Sequence, residues 1–103
     1  IWHEHVREIS DLPDAHRLAL NDAVHRVELA VRAVMQPLKI NVASLGNVVP
    51  HVHWHIIPRY LDDAHFPSPV WAAAVRETDA SVLAARHALL PQLKAEIIRR
   101  MNE

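Results

Sequence analysis

The stretch that decides the fold is Asn47–Tyr60, Asn-Val-Val-Pro-His-Val-His-Trp-His-Ile-Ile-Pro-Arg-Tyr. In its centre, residues 51–57, imidazoles alternate with apolar side chains. Period-two alternation is typical of a half-buried strand, whose successive side chains point to opposite faces. We therefore predict a strand here that turns Val52 and Trp54 toward the core. The imidazoles that share the opposite face are those of His51, His53 and His55.

A metal ion is the first explanation to test for three imidazoles in register. Neighbours on one face of a strand lie roughly 6.6 Å apart, and each imidazole must approach zinc to about 2.0–2.1 Å. One ion can therefore bind two of these rings, as a His-x-His pair, but not all three. The sequence shows no second compact cluster of Cys, His and acidic residues that would complete the site. We predict no metal and no cofactor.

Chemistry on an anionic substrate is the second explanation. The unperturbed pKa of imidazole is near 6.5, so a row of rings can hold some neutral, as nucleophile or base, and others cationic against phosphate. A third interpretation is structural: a His-rich surface strand, or a polar layer in which hydrogen bonds satisfy the rings. The spacing alone leaves these interpretations open.

The segment His51–Ile57 resembles the signature of the histidine-triad (HIT) superfamily, His-φ-His-φ-His-φ-φ, in which φ is apolar. The flanking segments 46–49 and 58–59 are also similar to the way in which members enter and leave the motif, and the resemblance covers about Trp2–Tyr60. It implies an α+β fold in a homodimer. The implied activity is hydrolysis or transfer of nucleoside monophosphates from phosphoramidates, dinucleoside polyphosphates and related adducts.

The resemblance also implies catalytic roles for the three histidines. His53, the middle ring, is the expected nucleophile, which splits the displacement at phosphorus into two steps through a nucleotidyl-histidine intermediate. His51 and His55 are expected to donate hydrogen bonds to the phosphate and the leaving group, because donors fixed beforehand stabilise the transition state. For one ring nitrogen of His53 to attack, the other should donate to a fixed acceptor, such as a nearby backbone carbonyl.

Further positions correspond to substrate-contacting or active-site positions of the family. Val48 departs from the pattern, since many members carry Ser or Thr there and the hydroxyl can assist the leaving group; its loss argues against efficient phosphoramidate cleavage. For His5, the alternative to an additional active-site histidine is a solvated residue at a strand end. The expected substrate-binding residues are Asn41, Asn47, Val48 and His5.

Length and composition place the chain among small single domains. It has 103 residues, half of them hydrophobic, and a net charge of −1 with histidine neutral. A core of this size has little stability to spare, which favours the homodimer. The sequence has neither a basic patch for nucleic acid nor a long apolar run for a membrane, and it contains no cysteine. These features predict a cytoplasmic protein with no nucleic-acid or membrane partner. The nucleotide substrate is what the resemblance implies.

The expected fold is an antiparallel sheet with a long helix packed on it and a helical C-terminal tail. Residues 1–6 are predicted to end a strand, and the helix to run from Ser10-Asp11-Leu12-Pro13 to about Met35, with an apolar stripe on one face. Leu38–Leu45 alternates as a strand and should pair with the histidine strand through the turn at Gly46-Asn47. The apolar stripe consists of Leu20, Val24, Val27, Val31 and Val34.

The C-terminal part, residues 61–103, is predicted to be a loop followed by helices that are broken or kinked at Leu90 by Pro91. The segment His65–Ala72 is similar to a bacterial HIT subgroup described as diadenosine-tetraphosphate-hydrolase-like. Trp71 within it is suited to a substrate cleft, a dimer interface or ordinary packing.

The chain as a whole, residues 1–103, is interpreted as one HIT domain whose N-terminal hairpin lies before Ile1, with residues 1–60 as its core. A nucleotide-binding adaptor without turnover and a zinc-binding strand module remain the alternative functions.

Overall fold

The structure is a computed structural model that describes all residues, 1–103. A 3-10 turn at Ile9–Asp11 precedes the long helix. The regular elements in chain order are helix α1 (Asp14–Met35), strands β1 (Lys39–Ala43) and β2 (His55–Arg59), and helices α2 (Ala80–His87) and α3 (Leu90–Met101). The chain therefore has the predicted α+β fold, in which α1 packs against both β2 and α3. None of the helices combines the length and the apolar composition that a membrane span requires.

Helix α1 confirms the predicted long helix, with a different start. Pro13 is its N-cap residue, and Asp11 instead accepts a hydrogen bond from the backbone N–H of Glu8 in the preceding 3-10 turn. Gln36 ends the helix in the left-handed conformation, with φ of 47°, directly before Pro37. The side chains buried along the helix are Leu20, Ala30, Val31 and Met35. Leu20 and Val31 belong to the predicted stripe, whereas its other three members, Val24, Val27 and Val34, are only half-buried.

Strands β1 and β2 pair in the predicted antiparallel arrangement. Ala43 lies opposite His55 and Asn41 lies opposite Ile57, which places Asn41 and His55 on the same face of the sheet. The two strands are joined by eleven residues, 44–54, rather than by a tight hairpin turn. The strand pairing thus fixes which residues lie beside His55. The residues between the two strands form a long loop.

The predicted extent of the histidine strand was wrong, because β2 begins only at His55. The preceding residues bond to the N-terminal segment instead of to β1: the N–H of Val52 donates to the carbonyl of Val6, and the carbonyl of Val52 accepts from Trp2. Residues 1–6 likewise form no strand of their own. The first two histidines therefore lie on an extended segment that is held by two isolated backbone bonds.

Side chains still alternate between the core and the opposite face, although the strand is short. Val52 is buried in a cluster with Leu12 and Leu20, and Trp54 packs against that cluster. Trp54 does not line the cavities that contain His53. The prediction that Trp54 faces inward while its neighbouring histidines face the other way is therefore confirmed.

The C-terminal residues form the two predicted helices. Asp79 caps α2 by accepting hydrogen bonds from the backbone N–H groups of Ser81 and Val82. Pro91 lies in the first turn of α3, where its missing N–H costs nothing, so the chain breaks at residues 88–89. Arg26 of α1 donates to the carbonyl of Arg100 at 2.7 Å and thereby ties α1 to the end of α3.

Candidate active site

His53 has one ring nitrogen fixed by the backbone. Its Nδ1 lies 2.6 Å from the carbonyl oxygen of His51. A carbonyl only accepts, so Nδ1 carries the proton and, in the neutral ring, Nε2 carries the lone pair. The carbonyl of His53 itself accepts a hydrogen bond from the Ser44 hydroxyl at 2.8 Å, which anchors the segment to the loop after β1. The ring is thus held in the tautomer that a nucleophile needs, with Nε2 as the available atom.

His51 has both ring nitrogens engaged. Its Nε2 donates to the carbonyl oxygen of Trp2 at 2.5 Å, and its Nδ1 lies 3.3 Å from Nδ1 of His5. Since Nε2 carries the proton, Nδ1 of the neutral ring accepts, and His5 is the donor in this contact. The ring of His51 therefore anchors the N-terminal segment, and its backbone carbonyl orients His53. The hydrogen bond from His51 to phosphate that the resemblance implies would require this arrangement to open.

His55 is the exposed member of the three. Its ring lies edge-on to that of His53, with 5.2 Å between the ring centroids. No protein group hydrogen-bonds to the His55 ring, in contrast to the rings of His51 and His53. Both of its nitrogens are therefore free to contact a ligand bound at His53.

Two open cavities meet at His53. One, of about 480 Å³, contains the rings of His5 and His51 and is otherwise walled by apolar side chains. The other, of about 320 Å³, is formed by residues 45–49 of the loop between the strands. The loop residues Asn47 and Val48, both exposed, line the second cavity with His53. The structure thus places His5, Asn47 and Val48 around the middle histidine.

Asn41 lies on the histidine face but is engaged elsewhere. Its carboxamide oxygen accepts a 2.7 Å hydrogen bond from Arg59. Arg59 is only 2% exposed, and its guanidinium also binds both carboxylate oxygens of Asp63 and the carbonyl of Ser68. The amide N–H groups of Asn41 have no protein partner, so its side chain can donate to a ligand while its oxygen holds Arg59.

The ion pair of the buried Arg59 and the half-buried Asp63 organises the loop after β2. The Asp63 carboxylate also accepts hydrogen bonds from the backbone N–H groups of His65 and Phe66. The hydrogen bond from Arg59 holds the pKa of Asp63 well below its usual range, and these backbone donors lower it further against the opposing effect of burial. This pair was not predicted from the sequence. The only signal for it was a basic and an acidic residue four positions apart at a strand end.

Metal-ligating side chains do not converge in the structure. No group of three or more His, Asp or Glu side chains lies close enough to hold a metal ion. The His5 and His51 rings, which are close together, direct one nitrogen each at the other, and the second nitrogen of His51 donates to a carbonyl. A donor set for the His-x-His zinc module is therefore not assembled in this structure.

Comparisons with known proteins agree with this geometry. The family model described as the HIT domain matches residues 1–62, which is more than half of the chain. The comparison with curated proteins gave no match. The chain is 32% identical to a histidine triad protein from Bradyrhizobium japonicum, with a TM-score of 0.66, over 88% of this chain and 69% of that one.

Two further crystal structures of histidine triad proteins are similar. The protein from Marinobacter aquaeolei VT8 is 33% identical, with a TM-score of 0.64, over 87% of this chain and 67% of that one. The protein from Sinorhizobium meliloti 1021 is 25% identical, with a TM-score of 0.67, over 92% of this chain and 66% of that one. The histidine motif lies within the residues that the family model matches, and these structures share the fold over most of the chain. The chain belongs to the HIT domain family.

Proposed function

We propose that this chain is a nucleotide hydrolase or nucleotidyl transferase that acts at the α-phosphate of a nucleoside phosphoramidate or dinucleoside polyphosphate. The observation that carries the proposal is the hydrogen bond from Nδ1 of His53 to the carbonyl oxygen of His51. It leaves Nε2 unprotonated in the neutral ring, beside two open cavities. Membership of the HIT domain family supports a nucleotide-related activity.

The reaction has two steps in this proposal. Nε2 of His53 attacks phosphorus and forms a P–N bond, while the bond to the leaving group breaks and the leaving group keeps the electron pair. His55, whose ring lies beside that of His53, donates a hydrogen bond or proton to the departing atom. Water, or another acceptor in a transferase, then attacks phosphorus and gives a proton to His55, while the P–N bond breaks and its electron pair returns to Nε2. The free N–H groups of Asn41 face acceptor oxygens of the substrate.

The proposal is tested with a panel of substrates that share one nucleotide. Purified protein is incubated with an adenosine phosphoramidate, diadenosine polyphosphates and a nucleotidylated sugar, and released monophosphate is measured. Rapid quenching without acid should trap a nucleotidyl adduct that is stable to alkali and lost in acid, as a P–N bond is. Nucleotide binding without turnover or adduct would show the adaptor function instead. The diadenosine-tetraphosphate-hydrolase-like subgroup remains a proposal that the same panel tests.

We also propose that the protein is a homodimer, as the composition predicts. Fifteen large apolar side chains are exposed, whereas six apolar residues are buried. A chain with so small a core gains stability by covering apolar surface with a second copy. Sedimentation equilibrium at micromolar concentration should therefore give about twice the 11.7 kDa chain mass. A mass equal to that of one chain across this range would contradict the dimer.

A further inference from the structure

Asn41 lies between two polar side chains of β2 that share its face of the sheet. Asn41 is directly opposite Ile57, so Arg59 and His55 are its diagonal neighbours, one on either side along the strand. Diagonal neighbours across an antiparallel pair lie about 7–8 Å apart, within reach of long and aromatic side chains. A ligand that contacts the carboxamide of Asn41 can therefore also contact the ring of His55.

Arg59 fixes the orientation of this carboxamide. A half-turn about the last side-chain bond of Asn41 would exchange its oxygen and its nitrogen. Arg59 donates to the oxygen at 2.7 Å, whereas after the half-turn the N–H groups of both residues would face each other. Because the oxygen points towards Arg59, the amide N–H groups point away from it, on the side of His55. The side chain of Asn41 is thus presented to a ligand as a donor.

The guanidinium that holds Asn41 is itself fixed from several sides. Asp63 accepts from Arg59 at 2.8 and 3.1 Å, and the carbonyl oxygen of Ser68 accepts at 2.6 Å. The guanidinium carbon also lies over the ring of Phe66, 5.6 Å from the centroid. The loop after β2 therefore holds the buried guanidinium in one place, and the guanidinium in turn holds Asn41.

Stability alone is a poor explanation for this network. Desolvating an ion pair is costly, and replacing a buried pair by apolar side chains of similar volume is often neutral or stabilising. A donor that is oriented before its ligand arrives, by contrast, loses less conformational freedom on binding. The network provides such a donor at Asn41, beside the exposed ring of His55.

We propose that Arg59 and Asp63 are positioning residues for nucleotide binding, which act through Asn41 by directing its N–H groups at an acceptor oxygen of the nucleotide. The inference rests on the proposed function, since that function supplies the nucleotide. Neither Arg59 nor Asp63 contacts the ligand. Their effect on affinity therefore depends on the presence of Asn41, and this dependence separates positioning from a merely structural role.

The dependence is measured as a double-mutant cycle on the affinity for adenosine monophosphate, the product that the substrates of the panel share. Asn41→Ala should weaken binding roughly five- to tenfold, as loss of one hydrogen bond does. Arg59→Lys keeps a cation for Asp63 but lacks the planar fork that also reaches Asn41. Arg59→Lys should weaken binding roughly fivefold in the otherwise unmodified protein, and by less than about twofold in protein that carries Asn41→Ala.

Affinities are compared at a temperature at which circular dichroism shows each variant to be folded. Asp63→Glu, which keeps the counter-charge on a longer side chain, is a second variant and should show the same dependence on Asn41. The matched control is Arg86→Lys, the same substitution at an arginine that pairs with Asp62 and forms no hydrogen bond to Asn41. This control should change the affinity by less than about twofold with or without Asn41.

Three results would overturn the proposal. They are an equal effect of Arg59→Lys or Asp63→Glu with and without Asn41, an unchanged affinity of Asn41→Ala, and the absence of binding of adenosine monophosphate to the unmodified protein. The proposed function fails on a different observation, the absence of released monophosphate and of a nucleotidyl adduct with every substrate of the panel.

Discussion

Replacing His53 by alanine should lower turnover by several orders of magnitude and abolish the nucleotidyl adduct. The variant lacks Nε2, the atom that forms the bond to phosphorus, and a covalent mechanism has no partial substitute for its nucleophile. The measurements are released monophosphate and mass spectrometry of the quenched protein. Fragmentation within the peptide must place the adduct on His53, because His51 and His55 lie in the same peptide.

The neighbouring histidines provide the matched controls. His51→Ala keeps the backbone carbonyl that fixes Nδ1 of His53, so the nucleophile keeps its tautomer. His55→Ala removes a ring that lies beside His53 but forms no bond to phosphorus in the proposal. His55→Ala should lose on the order of 10²–10³ in rate, as for loss of one fixed donor, and retain measurable turnover. His51→Ala should also retain measurable turnover, because its ring anchors the N-terminal segment at Trp2 and forms no bond to phosphorus. If His53→Ala turns over substrate as well as His51→Ala does, or if the adduct maps to another residue, the assignment of the nucleophile is wrong.

Asp63→Asn should strongly lower the free energy of unfolding. The substitution keeps the shape of the side chain but leaves the Arg59 guanidinium, only 2% exposed, without its counter-charge. Removal of one partner of a buried ion pair costs about 3–5 kcal/mol, a large share of the 5–15 kcal/mol that stabilises a typical domain. Thermal and urea unfolding at neutral pH measure the change. Asp14→Asn is the control, because its pair with Arg17 is solvated and should lose only a small fraction of that amount.

The pH dependence of the same variant has a defined sign. The pKa of Asp63 is lowered in the folded protein by its hydrogen bond to Arg59, so the ion pair stabilises the fold fully above the unfolded-state pKa, near 3.9. Its contribution is lost as the pH falls from there through the lower, folded-state pKa. The difference in unfolding free energy between the unmodified protein and Asp63→Asn should therefore be constant near neutral pH and shrink below about pH 4. A difference that grows in acid would contradict the role of this carboxylate.

The sequence alone was sufficient to predict the features that depend on local patterns of residues. The long helix and the inward direction of Trp54 follow from the spacing of apolar residues. The break before Pro91 follows from the proline, and the antiparallel pairing follows from two alternating segments joined by a turn signal. The backbone acceptor expected for His53 is also present, as the carbonyl of His51. Each of these depends on residues that are close in the chain.

The features that the sequence did not predict depend on contacts between distant segments. Strand β2 starts late because Val52 bonds to Val6 and Trp2, and no local pattern encodes that pairing. The ring of His51 is held by the carbonyl of Trp2, an acceptor that every residue carries and that no side-chain motif reveals. Asn41 was expected to bind substrate, but its engagement by Arg59 was not foreseen, because a buried arginine is recognised only once its partners are located in space.

The Arg59 and Asp63 pair limits where the chain can be divided into fragments. The family match ends at residue 62, between the two charged partners, and the carbonyl of Ser68 that also binds Arg59 lies further on. A fragment cut at that boundary would keep the buried guanidinium and lose Asp63 and Ser68, leaving only the Asn41 oxygen to accept from it. The similarity boundary is therefore not a physical boundary, and the shortest piece that preserves these contacts must extend at least through Ser68.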